Sequence, residues 1–239
     1  MKKISLLFSL FMLLLLNVPF SFARSEKNHT HYSVTASLKY ARINDMAAYD
    51  SLSLQMKGLS KDAFQYALKG FSQLIDKGLV SNDSILTIVD LSQPSSHKRL
   101  YVVDLKNYHV RFNSLVAHGR NSGLATADHF SNNNQSNMSS PGFYTTGNTY
   151  EGHNGYSLQL DGLEKGINDR ARERAIVIHG APYVSEDIVR MQGYSGRSQG
   201  CPAVPVSLAR PLINTIRNGS CVFVYHPSYV HRSRILSPA

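Results

Sequence analysis

From Ser84 to Tyr225 the chain is a succession of short apolar runs rich in β-branched and aromatic residues, each bounded by polar turn residues. That texture limits the possible folds more than any other feature. Runs at residues 85–89, 100–105 and 110–117 read as strands, with Lys106-Asn107 as the turn between the last two. Residues 143–145, 157–160, 175–178 and 221–225 are further strand candidates. A short helix is expected over residues 208–217, with Pro211 in its first turn and Gly219 as the stop that follows. There is no internal repeat, no Gly-rich phosphate loop and no strand–helix alternation of the parallel α/β kind. The pattern predicts a mainly β domain, a sandwich or barrel-like sheet. Residues 119–142 interrupt it with a long polar stretch that includes Ser131-Asn132-Asn133-Asn134-Gln135-Ser136-Asn137. A connection of that length in a compact domain is usually functional or disordered.

A different periodicity precedes the strands. After Ser60, a plausible N-cap, Phe64, Ala67, Leu68, Phe71, Leu74 and Ile75 recur at three- and four-residue spacing until Gly78. This predicts an amphipathic helix with one buried face. Residues 45–57 suggest an earlier helix, so residues 33–79 form a helical N-terminal extension. The first residues read as a targeting segment. Lys2 and Lys3 precede an apolar run over residues 4–16, and small residues Ser21 and Ala23 stand before Arg24. A basic start, an apolar middle and a small-residue cleavage site make a secretory signal, and the run is shorter than the roughly 18–20 residues of a membrane span. A retained signal anchor is the alternative. Residues 24–32 form a polar, flexible lead-in.

The formal net charge is +9, and cleavage of the signal would lower it by two. A basic exported protein suits an anionic polymer or surface. Its Lys and Arg are scattered, however, with no basic run interleaved with aromatics, so nucleic acid is not expected as a partner. With two cysteines among 239 residues, a disulfide framework and a Cys-rich zinc module are both excluded. His29-Thr30-His31 is the one close histidine pair, and neither His-Glu-x-x-His nor Cys-x-x-Cys occurs, so no metal or other cofactor is expected. A serine hydrolase would need a Gly-x-Ser-x-Gly elbow, which is absent.

The two cysteines stand in opposite surroundings. Cys221 lies in the apolar run Ser220-Cys221-Val222-Phe223-Val224-Tyr225 and reads as a core residue. Cys201 lies in Gly196-Arg197-Ser198-Gln199-Gly200-Cys201-Pro202, a polar glycine-containing turn whose amides can point into the same space as the sulfur. A thiol with a pKa near 8.5 is only a few per cent thiolate at pH 7, so a nucleophile there needs a base or a cation beside it. His179 ends the apolar run Ala175-Ile176-Val177-Ile178 and is followed by Gly180. His118 repeats the arrangement in Leu115-Val116-Ala117-His118-Gly119, so spacing alone does not choose between the two.

The segment from His179-Gly180 to Ser198-Gln199-Gly200-Cys201 resembles the signature of the murein L,D-transpeptidase (YkuD-like) catalytic domain, a His-Gly followed by Ser/Thr-x-Gly-Cys. Ser139-Ser140-Pro141-Gly142-Phe143-Tyr144 is similar to the family's Thr-Pro-x-Gly-x-Tyr/Phe segment, and Gly219-Ser220 before a final strand also fits. The resemblance covers roughly residues 84–227. Pro202 and Ala203 follow the cysteine where better-known members carry an Arg or a His-Asn pair, and the 18-residue spacer from 180 to 197 is slightly long.

The resemblance implies an L,D-transpeptidase-type β-sandwich or barrel-like catalytic domain over residues 80–228, with a short helix after Cys201. Residues 1–23 would be signal and 229–239 a tail. It implies acyl transfer on peptidoglycan stem peptides through a Cys201 thioester, with His179 as base and acid. Amides near Gly200 and Cys201 would form the oxyanion hole and Ser198 would shape the loop. Arg197 would meet a substrate carboxylate and His118 would line the cleft. It also implies acylation of Cys201 by carbapenem-type β-lactams. The alternatives are an L,D-carboxypeptidase that trims the same peptides and a wall-binding module without catalysis. Export to the periplasm or cell envelope, with no lasting membrane anchor once the signal is cleaved, completes the expectation.

Overall fold

The computed structural model describes residues 45–237. The expected signal and lead-in, and residues 33–44 of the helical extension, lie outside the described residues, as do His29 and His31. All described residues belong to one compact unit.

Helix α1, Asp45–Ser51, is followed by turns and then by α2, Lys61–Asp76. The Ser60 hydroxyl accepts the Ala63 N–H at 3.2 Å, the cap the sequence suggests. The expected stripe forms the buried face of α2: Phe64, Ala67, Phe71 and Leu74 are fully covered. They pack against Leu86, Ile88, Tyr101, Val103 and Phe223 of the sheet. Gly70 makes that approach possible, because a Cβ there would sit 2.0 Å from the ring of Phe143. Phe143 in turn stacks on Phe223 at 4.2 Å. The described part of the helical extension, residues 45–79, therefore shares one core with the β domain.

Eight strands form one sheet: β1 Ile85–Asp90, β2 Leu100–Asp104, β3 His109–Ser114, β4 Gly142–Gly152, β5 Gly155–Gly162, β6 Val177–Gly180, β7 Ala203–Val204 and β8 Cys221–Tyr225. Their order is β3-β2-β1-β8-β4-β5-β6-β7. The pairs β1–β8 and β6–β7 are parallel and the others antiparallel. Beyond β3 the chain turns toward the opposite edge. Ala117 N–H donates to Ala203 O at 2.8 Å, and Gly119 bridges Ser198. The sheet is thereby nearly closed. Alternate residues of the strands, among them Val89, Val102, Leu158, Ile178 and Val222, build a second core with Leu212, Ile213 and Ile216. Those last three belong to α4, Val206–Ile216.

Several elements depart from the sequence expectation. The β4–β5 hairpin is longer than residues 143–145 and 157–160, because polar pairs such as Thr145 with Asp161 and Tyr150 with Ser157 continue the ladder where apolar periodicity stops. Helix α4 begins two residues early, so Pro211 stands inside it and not in its first turn. Burial of Leu212, Ile213 and Ile216 outweighs the lost backbone bond. Helix α3, Glu186–Gln192, was not expected: it has a Ser185 cap and a left-handed Gly193, but no buried side chain and hence no apolar stripe. Residues 229–237 do not trail as a tail. Tyr229, Ile235 and Leu236 are buried, and the Tyr229 and Ser233 hydroxyls both donate to the Glu164 carboxylate.

Candidate active site

The parallel β6–β7 register pairs His179 with Ala203, which brings Cys201, two residues earlier in the chain, to the start of β6 beside Val177. Cys201 is half-buried. Its Sγ donates to Ala175 O at 3.7 Å, and the Val177 amide points at the sulfur. Burial pushes the Cys201 thiol above its ordinary value, while the Val177 amide and the charge of Arg174 pull the other way. Cys221 is fully buried in β8, and both thiols are free.

The turn before Cys201 is built by Ser198 and Gly200. Gly200 has a φ of +121°, and a Cβ there would lie 2.7 Å from Met138 O, so conformation and space both require glycine. Ser198 Oγ accepts the Gly200 N–H at 3.0 Å and donates to Cys201 O at 2.6 Å. The Gly200 amide is thus engaged within the turn. That is a correction to its expected place among the oxyanion donors, and it leaves the Cys201 amide without a hydrogen-bond partner among the described residues.

His179 is only 4% exposed. Its Nδ1 lies 2.9 Å from Gly180 O, and because a carbonyl can only accept, Nδ1 carries the proton and Nε2 is the basic nitrogen. Burial holds the imidazole below its ordinary pKa, so it is neutral at pH 7. No hydrogen bond joins His179 to Cys201 in this structure, although both face one cleft; such contacts often tighten only when substrate binds.

The cleft holds about 590 Å³. Arg120, Arg174, Arg197, His153, Tyr150 and Tyr183 line it with Cys201 and His179, and no carboxylate does. Arg197 Nη1 donates to Arg120 O at 3.2 Å and to Gly123 O at 3.3 Å. The expectation that His118 lines the cleft does not hold, because its side chain is fully buried. Its Nδ1 accepts from Arg99 Nη2 at 2.7 Å, which puts its proton on Nε2, 3.2 Å from Gly123 O. Burial and the Arg99 charge lower its pKa to about 4.

Sequence reasoning missed Arg174, Tyr183, Tyr150 and His153. None of them stands in a motif; the β4–β5 hairpin and the turns around β6 carry them to the cleft. Among the described residues no group of three or more His, Cys, Asp or Glu could hold a metal ion, and no helix is long and apolar enough to cross a membrane.

An imidazole on β6 and a thiol just ahead of β7 line the same cavity and define a cysteine–histidine cleft. The family model for the L,D-transpeptidase catalytic domain matches residues 55–225, most of the chain, and the protein belongs to that family. No curated protein matches it. Among solved structures it is similar to an L,D-transpeptidase from Mycobacterium tuberculosis H37Rv, at 15% identity over 60% of this chain and 58% of that one, with a TM-score of 0.36. The L,D-transpeptidase of Stackebrandtia nassauensis is similar at 15% identity over 82% and 91%, with a TM-score of 0.36. That of Enterococcus faecium is similar at 15% over 68% and 64%, with a TM-score of 0.37. The chain thus spans less than two thirds of the mycobacterial and enterococcal structures.

Proposed function

We propose that the protein is an exported L,D-transpeptidase that cross-links peptidoglycan stem peptides, with Cys201 as nucleophile and His179 as general base and acid. The observation that carries this reading is the fixed tautomer of His179: Gly180 O holds the proton on Nδ1 and leaves Nε2 basic, in the same cleft as a half-buried thiol. His179 Nε2 takes the Cys201 proton, and the thiolate attacks the carbonyl carbon of the third stem-peptide residue. The Cys201 amide is the donor available to the oxyanion, a contribution worth about 3–4 kcal/mol in comparable sites. The bond to the terminal D-amino acid then breaks, and the imidazolium returns its proton to the leaving amine. An amine of a second stem peptide attacks the thioester, a new peptide bond forms, and the thiol is restored. Arg197 and Arg120, exposed at the rim with no carboxylate among the cleft's lining residues, suit the carboxylates of such peptides. Ser198 holds the turn that presents the thiol.

The test is to incubate the protein and its Cys201→Ala variant with disaccharide-tetrapeptide muropeptides and follow the products by mass spectrometry. A cross-linked dimer lacking one terminal D-alanine, formed only by the unmodified protein, is the expected result. Conversion to tripeptide alone would make the protein an L,D-carboxypeptidase. Turnover identical in Cys201→Ala would remove Cys201 from the chemistry, and binding with no turnover in either would leave a wall-binding module.

A further inference from the structure

Arg174 has no part in the steps above, yet it is the most heavily bonded cation at the cleft. It stands just ahead of β6, half-buried. Its Nη1 donates to Ser131 O at 2.9 Å and to Ser140 Oγ. Its Nη2 donates to Met138 O at 2.7 Å and to Ser136 Oγ at 3.2 Å. Every one of these acceptors is neutral and belongs to the long polar connection between β3 and β4. No carboxylate pairs with Arg174 among the described residues. Met138 O and Arg174 Nη2 both crowd Gly200, at 2.7 and 3.3 Å from the point where a Gly200 Cβ would be. The next carbonyl in the chain, Ala175 O, accepts from Cys201 Sγ. A guanidinium whose charge no carboxylate cancels therefore sits against the turn that carries the thiol. Pro202-Ala203 follow the cysteine, so no cation stands directly after it in the chain.

We propose that Arg174 is the positioning residue of this site: its guanidinium clamps residues 131–140 against the Gly200–Cys201 turn and supplies the positive charge that stabilises the Cys201 thiolate. The proposal rests on the reading of Cys201 as nucleophile. Other charges are less suited to the task. His179 is held neutral by burial, and Arg120 and Arg197 are exposed, where water and salt screen them. The groups that face the thiol or line its cleft are His179, Tyr183, Tyr150, His153, Arg120 and Arg197. All of them persist in variants at position 174, so a difference between variants reports on Arg174. An opposite charge within about 4–6 Å moves a pKa by roughly 1–3 units, and the low end suits a half-buried group. Its loss should lower the thiolate fraction near neutrality about tenfold.

The experiment follows alkylation of Cys201 by iodoacetamide against pH in the full chain, read peptide by peptide so that Cys221 does not interfere. Arg174→Gln should raise the midpoint by about one pH unit and slow alkylation at pH 7 about tenfold. Arg174→Lys keeps the charge and loses the fork, so its midpoint should stay within half a unit of the wild type. Cleavage by protease within residues 131–140 should accelerate in both. An unchanged midpoint in Arg174→Gln, or an equal shift in Arg174→Lys, would overturn the proposal. Should Arg174→Gln fail to fold, Arg174→Lys decides alone: a shift of a unit or more, or an unaltered cleavage rate, counts against it. Turnover that survives Cys201→Ala would instead remove the nucleophile reading, a separate outcome.

Discussion

His118 and His179 sit in nearly the same local sequence, an apolar run ending in histidine and then glycine, and the fold gives them opposite states. His179 keeps its proton on Nδ1 through Gly180 O and leaves Nε2 unprotonated in the cleft. His118 gives Nδ1 to Arg99 and Nε2–H to Gly123 O, so neither nitrogen is left over. Arg99 itself is fully buried, and it also donates to Gln93 O at 2.7 Å and to Val116 O at 3.1 Å. Burial lowers the Arg99 pKa to about 9, which leaves it charged at neutral pH. What separates the proposed base from the brace is therefore the second ring nitrogen: in His179 only the neighbouring Gly180 O engages the ring, whereas in His118 Arg99, 19 residues away in the chain, takes the other nitrogen.

The comparison breaks most sharply at Arg99. Arg99→Met fills much of the same volume but strands Gln93 O, Val116 O and His118 Nδ1. At about 1–3 kcal/mol for each buried unsatisfied group, the loss of stability should be on the order of 4 kcal/mol. Urea unfolding measures it, and a loss below about 1 kcal/mol would mean that the pair is not a structural brace.

Acid provides a somewhat smaller effect. The folded pKa of His118, about 4, lies below its unfolded value of 6.5, so the neutral ring's contribution is complete above pH 6.5 and declines as pH falls toward 4. Protonation would also set a second cation against Arg99. The expected loss is about 2 kcal/mol by pH 5 and about 3 kcal/mol by pH 4. Burial holds His179 and His226 below their ordinary values as well, so they add to the wild-type slope in the same direction. The part due to His118 is the difference between the wild type and His118→Gln, whose amide can both accept from Arg99 and donate to Gly123 O. Equal acid sensitivity in the two proteins would contradict the neutral brace.

The features that could be read from the sequence were those that depend on neighbours in the chain. The α2 stripe and its Ser60 cap are local, and so are the apolar surroundings of Cys221 and the glycine-containing turn of Cys201. The extent of β4 and β5 was not legible, because their outer ladder is polar on both strands. Nor was α3, which buries nothing, or the placing of residues 229–237, which is fixed by Tyr229 meeting Glu164. At the site, the Cys201–His179 neighbourhood follows from a motif, whereas Arg174 and the Arg99–His118 pair are hydrogen-bonding arrangements made across the fold.

The contrast between the two histidines is tested most directly by the release of terminal D-alanine from tetrapeptide muropeptides, compared in His179→Ala and His118→Gln after both have been shown to be folded. Removing a general base should cost about 10²–10⁴-fold in turnover, whereas His118→Gln should stay within about threefold of the wild type. A large loss in folded His118→Gln together with near-normal turnover in His179→Ala would reverse the assignment.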